Sequence, residues 1–352
     1  MSTRTNIEWT DTTWNPVRGC SLVSAGCANC YAMKQAHRFS GKGKPYEGLT
    51  ELGPQGPRWT GKIRLVPEAL EEPLHWKQPR RIFVNSMSDL FHEDVPMDFL
   101  AEVFNVMASA TVECGRRHRH EEECWTGPHH TFQVLTKRPG RMKSVLTELP
   151  YYVSEFYPGD SPICLAFESD HWPLPNVWLG VSVEDQATAD ERIPILLQTP
   201  AAVRFISAEP LLGPITFTRL HQHCQTHDFP GGFCSSPCPD QRFIDWVILG
   251  GESGPRARHC DVAWIRSIKE QCQAAGVPVF VKQLGSKPKG WCVGRLHGDE
   301  PVLSYELDHC DLYEASEISE PCRSGCHEMC DTKGGDISEF PEDLRVREYP
   351  HG

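Results

Sequence analysis

Short apolar runs alternate along this chain with longer segments in which apolar residues recur at helical spacing. The short runs predict buried strands, and they cover residues 81–86, 131–136, 177–182, 203–207, 246–249 and 277–281. The longer segments predict helices over residues 28–40, 99–107, 186–197 and 263–275. Residues 41–61 are rich in Gly and Pro, and we interpret them as a long loop on the surface or over a site.

The alternation of strands and helices predicts the fold class. Strands separated by helices form a parallel sheet, and fully apolar strands are buried on both faces. We therefore expect an α/β fold, a partial or complete βα (TIM-like) barrel, with six or seven strands after residue 30 or with one of them before it. A doubly wound sheet has the same periodicity and is the open alternative. In a barrel, the C-terminal ends of the strands form the functional face.

Polar or charged residues follow each predicted strand and would lie on that face. They are Ser86, Ser88, Asp89, Lys137, Arg138, Ser182, Glu184, Glu209, Glu252, Lys282 and Gln283. Glu209, Glu252 and Lys137 are the candidate catalytic groups, and Arg138 suits bidentate recognition of a phosphate. Each group also has a structural alternative. Ser86, Ser88 or Asp89 would cap a helix N-terminus. Lys137 and Arg138 would form a solvated basic turn before Pro139, and the glycines around Glu252 would form a tight turn after a strand.

Three cysteines lie in one loop near the N-terminus. Cys20, Cys27 and Cys30 have the spacing C-x6-C-x2-C, and a glycine precedes each of the first two. Three thiolates on one loop can hold three irons of a [4Fe–4S] cluster and leave the fourth iron open, whereas four cysteines favour electron transfer or zinc. A zinc knuckle with a fourth ligand from elsewhere, or unpaired thiols, are the alternatives. We expect the loop at the C-terminal face of the strands.

Two further cysteine groups are candidates for a second metal, either zinc or an auxiliary iron–sulfur cluster. One group is Cys322, Cys326 and Cys330, with His327 or His309 as a fourth ligand. The other is Cys224, Cys234 and Cys238, with His221, His223 or His227. The alternative for both groups is ordinary thiols in loops.

Composition constrains the compartment. The chain has 352 residues, is 39% hydrophobic and contains 16 cysteines. Its N-terminus lacks the apolar stretch of a signal peptide, and no run of about 18 apolar residues occurs, so we expect a cytoplasmic protein with no membrane partner. In that compartment, cysteines favour metal ligation or buried thiols over disulfides.

The net charge of −12 is concentrated at the C-terminus, since residues 299–352 hold 15 Asp and Glu against 4 Lys and Arg. We interpret residues 1–298 as the barrel, with insertions near 114–130 and 219–241, and residues 299–352 as an acidic, cysteine-containing extension. The nearly neutral main body leaves a nucleic-acid partner open. The basic residues that permit one are Arg80, Arg81, Arg116, Arg117, Arg119, Lys137, Arg138 and Arg141.

Around its first cysteines the chain resembles the radical S-adenosylmethionine (SAM) superfamily. Asn15-Pro16-x-Arg18-Gly19-Cys20 and Gly26-Cys27-x-x-Cys30-Tyr31-Ala32 are similar to the N-P-Y-R-G-C and G-C-x-Y-C-Y-A signatures of its spore-photoproduct-lyase-like branch. The gap between the first two cysteines is six residues here instead of three, which implies a longer loop. Asn29 occupies a position that is usually aromatic.

Outside the three segments 114–130, 219–241 and 299–330, the chain also resembles a phage and prophage family of radical-SAM-like proteins with no established reaction. The stretches that carry this resemblance are residues 7–16, 136–139, 207–211, 250–254, 334–336 and 341–348.

The resemblance implies a radical SAM enzyme. A [4Fe–4S] cluster on Cys20, Cys27 and Cys30 would bind SAM, and a one-electron reductant would drive its cleavage to a 5′-deoxyadenosyl radical that abstracts hydrogen from a substrate. The implied SAM-binding residues are Ser86, Ser88, Asp89, Lys137, Ser182, Glu209 and Glu252. The expected substrate is a nucleic-acid base or nucleotide, in phage DNA repair or modification. The alternative is a non-catalytic zinc-binding scaffold that interacts with a phage or host factor.

Overall fold

The chain forms an α/β fold that divides into two units. The computed structural model describes residues 5–110, 129–169, 171–217, 220–222, 242–289, 292–295, 301–305 and 335–350. The first unit comprises Met1–Val181 and Arg192–Phe205, and the second comprises Ser182–Glu191 and Ile206–Gly352.

A seven-stranded parallel sheet contains the apolar runs. Its strands are β1 (Thr12–Trp14), β2 (Arg81–Val84), β3 (Thr131–Thr136), β4 (Val177–Ser182), β5 (Val203–Ala208), β6 (Trp246–Gly250) and β7 (Val279–Gln283). They are neighbours in this sequential order, and Thr13 of β1, for example, pairs in register with Phe83 of β2. Across the part of the chain described here, β1 and β7 are the two ends of the order. The α/β class is therefore confirmed, while a complete TIM-like barrel is not.

Helices separate most of these strands. They are α1 (Tyr31–Arg38), α2 (Met97–Ser109), α3 (Pro139–Phe156), α4 (Pro162–Glu168), α5 (Gln186–Gln198) and α6 (Val262–Ala274). The periodicity predicted α1, α2, α5 and α6 to within a few residues but missed α3 and α4. In α3 the pattern is interrupted by Pro150, and α4 has only seven residues. None of the helices within the described ranges has the length and apolarity needed to cross a membrane.

The predicted long loop at residues 41–61 is partly wrong. Its second half forms a hairpin in which Thr50–Gly53 pairs with Gly56–Trp59 across a short turn. One face of α1 packs against this hairpin in a small core of Ala32, Met33, Ala36, Tyr46, Leu49 and Trp59. The Gly and Pro residues that favoured a loop are those that make the turn.

The remaining strands are short pairs. Val17–Arg18 pairs with Arg64–Leu65, His221–Gln222 with Arg242–Phe243, Cys260–Asp261 with Pro288–Lys289, and Cys292–Arg295 with Pro301–Tyr305. Single 3-10 turns lie at Ala25–Cys27, Pro67–Ala69, Glu72–His75, Ile337–Glu339 and Glu342–Leu344.

The last described residues return to β7 in the second unit. The backbone N–H of Val281 donates to Val346 O at 2.9 Å, and that of Glu348 donates to Val279 O at 2.8 Å. Trp246 of β6 stacks on Tyr349. This part of the predicted acidic extension therefore packs against the sheet.

Candidate metal centre and carboxylate cluster

The cysteine loop follows the C-terminal end of β1, as predicted, and its backbone is tightly constrained. Cys27 ends a 3-10 turn in which its N–H donates to Ser24 O at 3.0 Å, and Cys30 immediately precedes the first turn of α1. Gly19 has φ +89°, and a Cβ at this position would overlap the carbonyl oxygen of Lys62. Only glycine suits this position, so the backbone itself places Cys20.

Two serines after β2 hold the cysteine loop. Ser88 Oγ donates to Val17 O at 2.7 Å. The side chain of Ser86 and the backbone N–H of Met87 both donate to Asn15 Oδ1, at 3.3 and 3.1 Å. Both serines, predicted as SAM ligands, therefore contact the segment just before the cysteine loop in the first unit.

A buried ion pair lies beside Cys20. Arg138 donates from Nη1 to Asp89 Oδ2 at 2.8 Å and from Nε to Glu93 Oε2 at 2.9 Å. Its Nη2 donates to Ser21 Oγ at 2.6 Å, and its Nη1 lies 3.9 Å from Cys20 Sγ. The donors of Arg138 are thus used inside the protein, so the predicted phosphate contact is wrong and the side chain anchors the loop instead.

The charge of Arg138 is secured by its neighbours. Burial alone lowers its pKa, but the carboxylates of Asp89 and Glu93, together with Cys20 when that thiol is ionised, outweigh burial and raise the pKa overall. The guanidinium therefore stays charged although only 6% of its side chain is exposed.

Both carboxylate oxygens of Asp89 likewise accept hydrogen bonds inside the protein. Its Oδ1 accepts from Thr136 Oγ1 at 2.8 Å and from the N–H of Phe91 at 3.0 Å. Its Oδ2 accepts from the N–H of Lys137 at 3.3 Å in addition to Arg138. Asp89 thus joins the turn after β2 to the end of β3 and, through Arg138, to the cysteine loop.

The thiol of Cys20 is held in its neutral form by the protein. Burial raises its pKa to about 12, and Asp89 adds to this effect while Arg138 opposes it. The neighbouring thiols Cys30 and Cys27 also raise it when they are ionised. A bound cation would reverse this preference, because it favours the thiolate.

The thiol of Cys30 is also buried, but more of its neighbours oppose the effect of burial on its pKa. Burial raises its pKa, whereas the backbone amides of Met33 and Ala32 at the start of α1 lower it, as does Lys137. These groups would favour a thiolate at this position if burial were offset by a metal.

The three loop cysteines are free thiols. As their side chains are placed, no group of three or more His, Cys, Asp or Glu residues in the described ranges is arranged to hold a metal ion. The donor set nevertheless fits a [4Fe–4S] cluster in chemistry and number, with Lys137 and Arg138 adjacent to offset negative charge.

The residues predicted to bind a second metal lie outside the described residues or are described only in their backbone. They are Cys224, Cys234, Cys238, Cys322, Cys326, Cys330, His221, His223, His227, His309 and His327.

A second polar cluster lies in the second unit around Glu209, which follows β5. Lys282 Nζ donates to Glu209 Oε1 at 2.9 Å, and Ser182 Oγ donates to the backbone oxygen of Glu209 at 3.1 Å. Ser207 Oγ lies 3.4 Å from Oε2. A Cβ on Gly250 would lie 2.5 Å from Oε1, so the absence of a side chain at Gly250 leaves room for this carboxylate. The tertiary structure thus brings three of the predicted residues together.

Glu252, predicted as a candidate catalytic group and SAM-binding residue, is buried and bound to an arginine. It accepts hydrogen bonds from Arg258 N at 2.9 Å, Nε at 3.0 Å and Nη2 at 2.7 Å. Hydrogen bonding to Glu252 is the main cause of the raised pKa of Arg258, and nearby Glu184, itself fully buried, contributes to it.

Several residues of the first cluster were missed by sequence reasoning. Ser21 Oγ lies 3.0 Å from His92 Nε2, and Glu93 pairs with Arg138. Burial and then Arg138 lower the pKa of His92, so this ring is neutral. The position of Ser21 between two cysteines was the one sequence signal for this cluster. The contacts of His92 and Glu93 join residues that are distant in sequence, so no local pattern indicated them.

Among solved structures, a cysteine-to-serine mutant of spore photoproduct lyase is similar to this chain with a TM-score of 0.32 and 9% sequence identity. The match covers 60% of this chain and 48% of the lyase chain, so it spans about half the length of that protein. It is too remote to carry an argument about activity. No curated protein matches the chain. The family described as protein of unknown function (DUF5131) matches residues 4–298, most of the chain, and the chain belongs to this family.

Proposed function

We propose that the protein is a radical SAM enzyme whose [4Fe–4S] cluster is held by Cys20, Cys27 and Cys30. The observation that carries the proposal is the placement of these free thiols on one loop after β1, with Lys137 and Arg138 beside them. A site built for thiolates needs positive charge nearby, and both cations follow the end of strand β3, which is separated from β1 by β2 in the sheet.

When bound, the cluster and SAM would supply one-electron cleavage of the sulfonium and a radical able to abstract hydrogen. The chain's own residues hold the parts in place. Arg138 fixes the segment that contains Cys20 and Ser21, and Ser88 fixes the strand before it through Val17. The three sulfurs would have to rotate toward one another to receive the cluster, since their present placement does not form a metal site.

The SAM-binding residues remain part of the proposal. Lys137 is half-buried and close enough to lower the pKa of Cys30, so its ammonium is suited to a carboxylate near the cluster. In the second unit, Glu209 keeps an acceptor for a hydroxyl donor, because Oε2 has only the 3.4 Å contact with Ser207 among the described side chains. Glu252 is a weaker candidate, since Arg258 already binds it through three donors.

Anaerobic reconstitution with iron and sulfide tests the proposal. We expect a brown protein with about four irons per chain, and SAM-dependent formation of 5′-deoxyadenosine when dithionite is added. Cys20→Ala, Cys27→Ala and Cys30→Ala should each lose the colour and the product. Cys164→Ala is the matched control, because Cys164 is a buried free thiol outside the loop.

A colourless protein that copurifies with zinc and leaves SAM intact would establish the scaffold alternative instead. Equal 5′-deoxyadenosine formation by wild type and Cys27→Ala would also refute the assignment of the loop.

A further inference from the structure

Residues 15–65 carry a positive charge that contrasts with the acidic chain around them. They contain eight Lys and Arg against two Glu, in a chain of net charge −12. The cations are Arg18, Lys34, Arg38, Lys42, Lys44, Arg58, Lys62 and Arg64. We propose that this basic surface binds the phosphate backbone of a nucleic acid and holds it beside the cysteine loop.

The basic surface adjoins the cysteine loop directly. Arg18 and Arg64 are opposite each other on paired strands, and Arg18 Cζ lies 5.9 Å from the centroid of the Tyr46 ring. The backbone oxygen of Lys62 is the atom that a Cβ on Gly19 would strike, which places this lysine's backbone against the residue before Cys20. A phosphate bound by these three cations would therefore lie next to the proposed cluster.

The guanidinium of Arg64 is held without being neutralised. Its Nη1 donates to Pro45 O at 2.9 Å and its Nη2 donates to the backbone oxygen of Glu47 at 2.8 Å. Carbonyl oxygens orient the planar group but leave its charge available, and a preorganised guanidinium suits a phosphate.

The two carboxylates of the segment leave most of its charge uncompensated. Glu51 pairs with Arg58 at 2.6 Å, and this is the only ion pair that the eight cations make within the described part of the chain. Glu47 Oε2 accepts from the backbone N–H of Gly43 at 2.7 Å. Lys42, Lys44 and Lys62 are exposed to solvent and form no ion pair within the described part of the chain.

The basic residues that the sequence favoured as phosphate contacts are placed differently. Arg81 pairs with Asp11 at 3.1 Å, and Arg138 is buried in the network beside Cys20. Arg80 lies over the ring of Trp76. Arg116, Arg117 and Arg119 lie outside the described residues. Among the described residues of the first unit, the exposed positive charge is therefore concentrated in residues 15–65 rather than at the strand ends.

An aromatic ring next to the cysteines supplies a platform for a base. Tyr31 directly follows Cys30, and 52% of it is exposed. Its hydroxyl donates to Ser86 O at 2.5 Å, which fixes the direction of the ring. Phe39, at the other end of α1, is exposed to the same extent. Cationic grooves combined with exposed aromatic rings bind single-stranded nucleic acids by phosphate contacts and base stacking.

Helix α1 of this surface is poorly suited to lying on a membrane. A helix that lies on a bilayer inserts an apolar face, but the apolar residues Ala32, Met33 and Ala36 of α1 are buried in the small core against the hairpin. The outer side of α1 presents polar and charged residues such as Gln35 and Arg38.

The statement that this surface binds a substrate rests on the proposed function. Binding of a nucleic acid, in contrast, can be measured without the cluster. The experiment is fluorescence anisotropy with a labelled single strand and the matching duplex, at salt between about 50 and 200 mM, where phosphate contacts dominate affinity. Wild type should bind, and about four phosphate contacts would weaken binding roughly 100-fold across that range.

The triple variant Lys42→Gln, Lys44→Gln, Lys62→Gln should lower the affinity about tenfold or more at low salt and reduce the salt slope by about 3. The matched control Lys77→Gln, Lys143→Gln, Lys287→Gln removes the same charge elsewhere and should bind like wild type. Tyr31→Ala should weaken binding of the single strand about tenfold, whereas Tyr31→Phe, which keeps the ring and loses only its hydrogen bond to Ser86, should weaken binding much less.

The triple variant Cys20→Ala, Cys27→Ala, Cys30→Ala separates this inference from the proposed function, because it should bind nucleic acid while lacking SAM cleavage. Three results would overturn the inference: no binding by wild type, equal losses in the two lysine triples, or binding only to vesicles of anionic phospholipid.

Discussion

Arg138 donates from Nη1 to Asp89 Oδ2 at 2.8 Å, and both side chains are more than nine-tenths buried. The pair connects the residue after β3 with the turn after β2, and Arg138 then reaches Ser21 in the cysteine loop. A single ion pair thus fixes three segments at the C-terminal ends of neighbouring strands.

Replacing Asp89 should cost far more stability than replacing an exposed partner. Asp89→Asn leaves a buried guanidinium without its main counter-charge, so we expect the free energy of unfolding to fall by about 3 kcal/mol. Asp11→Asn is the control, because the Asp11–Arg81 pair is partly exposed and should contribute about 0 to 1 kcal/mol. Urea denaturation measures both, and equal losses would mean that the network has no special role.

Gly19 should tolerate alanine much less than another glycine with a similar backbone angle. Both Gly19 and Gly48 have positive φ, +89° and +76°, but only at Gly19 would a Cβ meet a backbone atom. We expect Gly48→Ala to cost about 1 kcal/mol and Gly19→Ala about 3 kcal/mol. Thermal unfolding compares the two, and the iron content after reconstitution should fall only in Gly19→Ala. A Gly19→Ala protein as stable as Gly48→Ala would contradict the clash.

Cys272 should resist alkylation in the folded protein. Burial raises its pKa from 9.0 to about 12, so its thiolate fraction at neutral pH is about 1000-fold below that of an ordinary thiol. Iodoacetamide followed by peptide mass spectrometry should modify Cys272 only when urea is present. Rapid modification of the folded chain would show that α6 opens locally.

The same shift predicts a loss of stability at alkaline pH. Because the folded-state pKa is above the unfolded value, the thiol of Cys272 contributes stability that is fully present below about pH 9 and is lost as the pH rises toward 12. In Cys272→Val this part of the alkaline loss should be absent. Identical pH curves for wild type and variant would refute it.

Glu209 and Lys282 should be energetically coupled. Their side chains are 12% and 26% exposed and meet at 2.9 Å. In a double-mutant cycle with Glu209→Gln and Lys282→Met, we expect a coupling energy of about 1 kcal/mol. Gly250→Ala should reduce this coupling, since a methyl group there would displace Glu209 Oε1. A coupling near zero would assign the two residues to independent roles.

Much of the fold followed from local pattern. The runs at residues 131–136 and 177–182 were predicted as the structure has them, because a strand buried on both faces is apolar along its whole length. The spacing of Cys20, Cys27 and Cys30 was likewise a local pattern of the sequence. Helix α3 was missed because Pro150 breaks the pattern, and the hairpin at residues 50–59 was missed because its turn residues resemble a loop.

The sequence by itself determined which segments are strands and helices and which loop holds three thiols, because hydrophobic periodicity and residue spacing are local properties. Only the tertiary structure decided that Arg138 binds Asp89 and contacts Cys20, 118 positions away, instead of a phosphate, and that Glu209 meets Lys282, 73 positions away. These partners depend on which strands are neighbours in the sheet. The number of possible pairings between distant polar residues is too large for spacing along the chain to select among them.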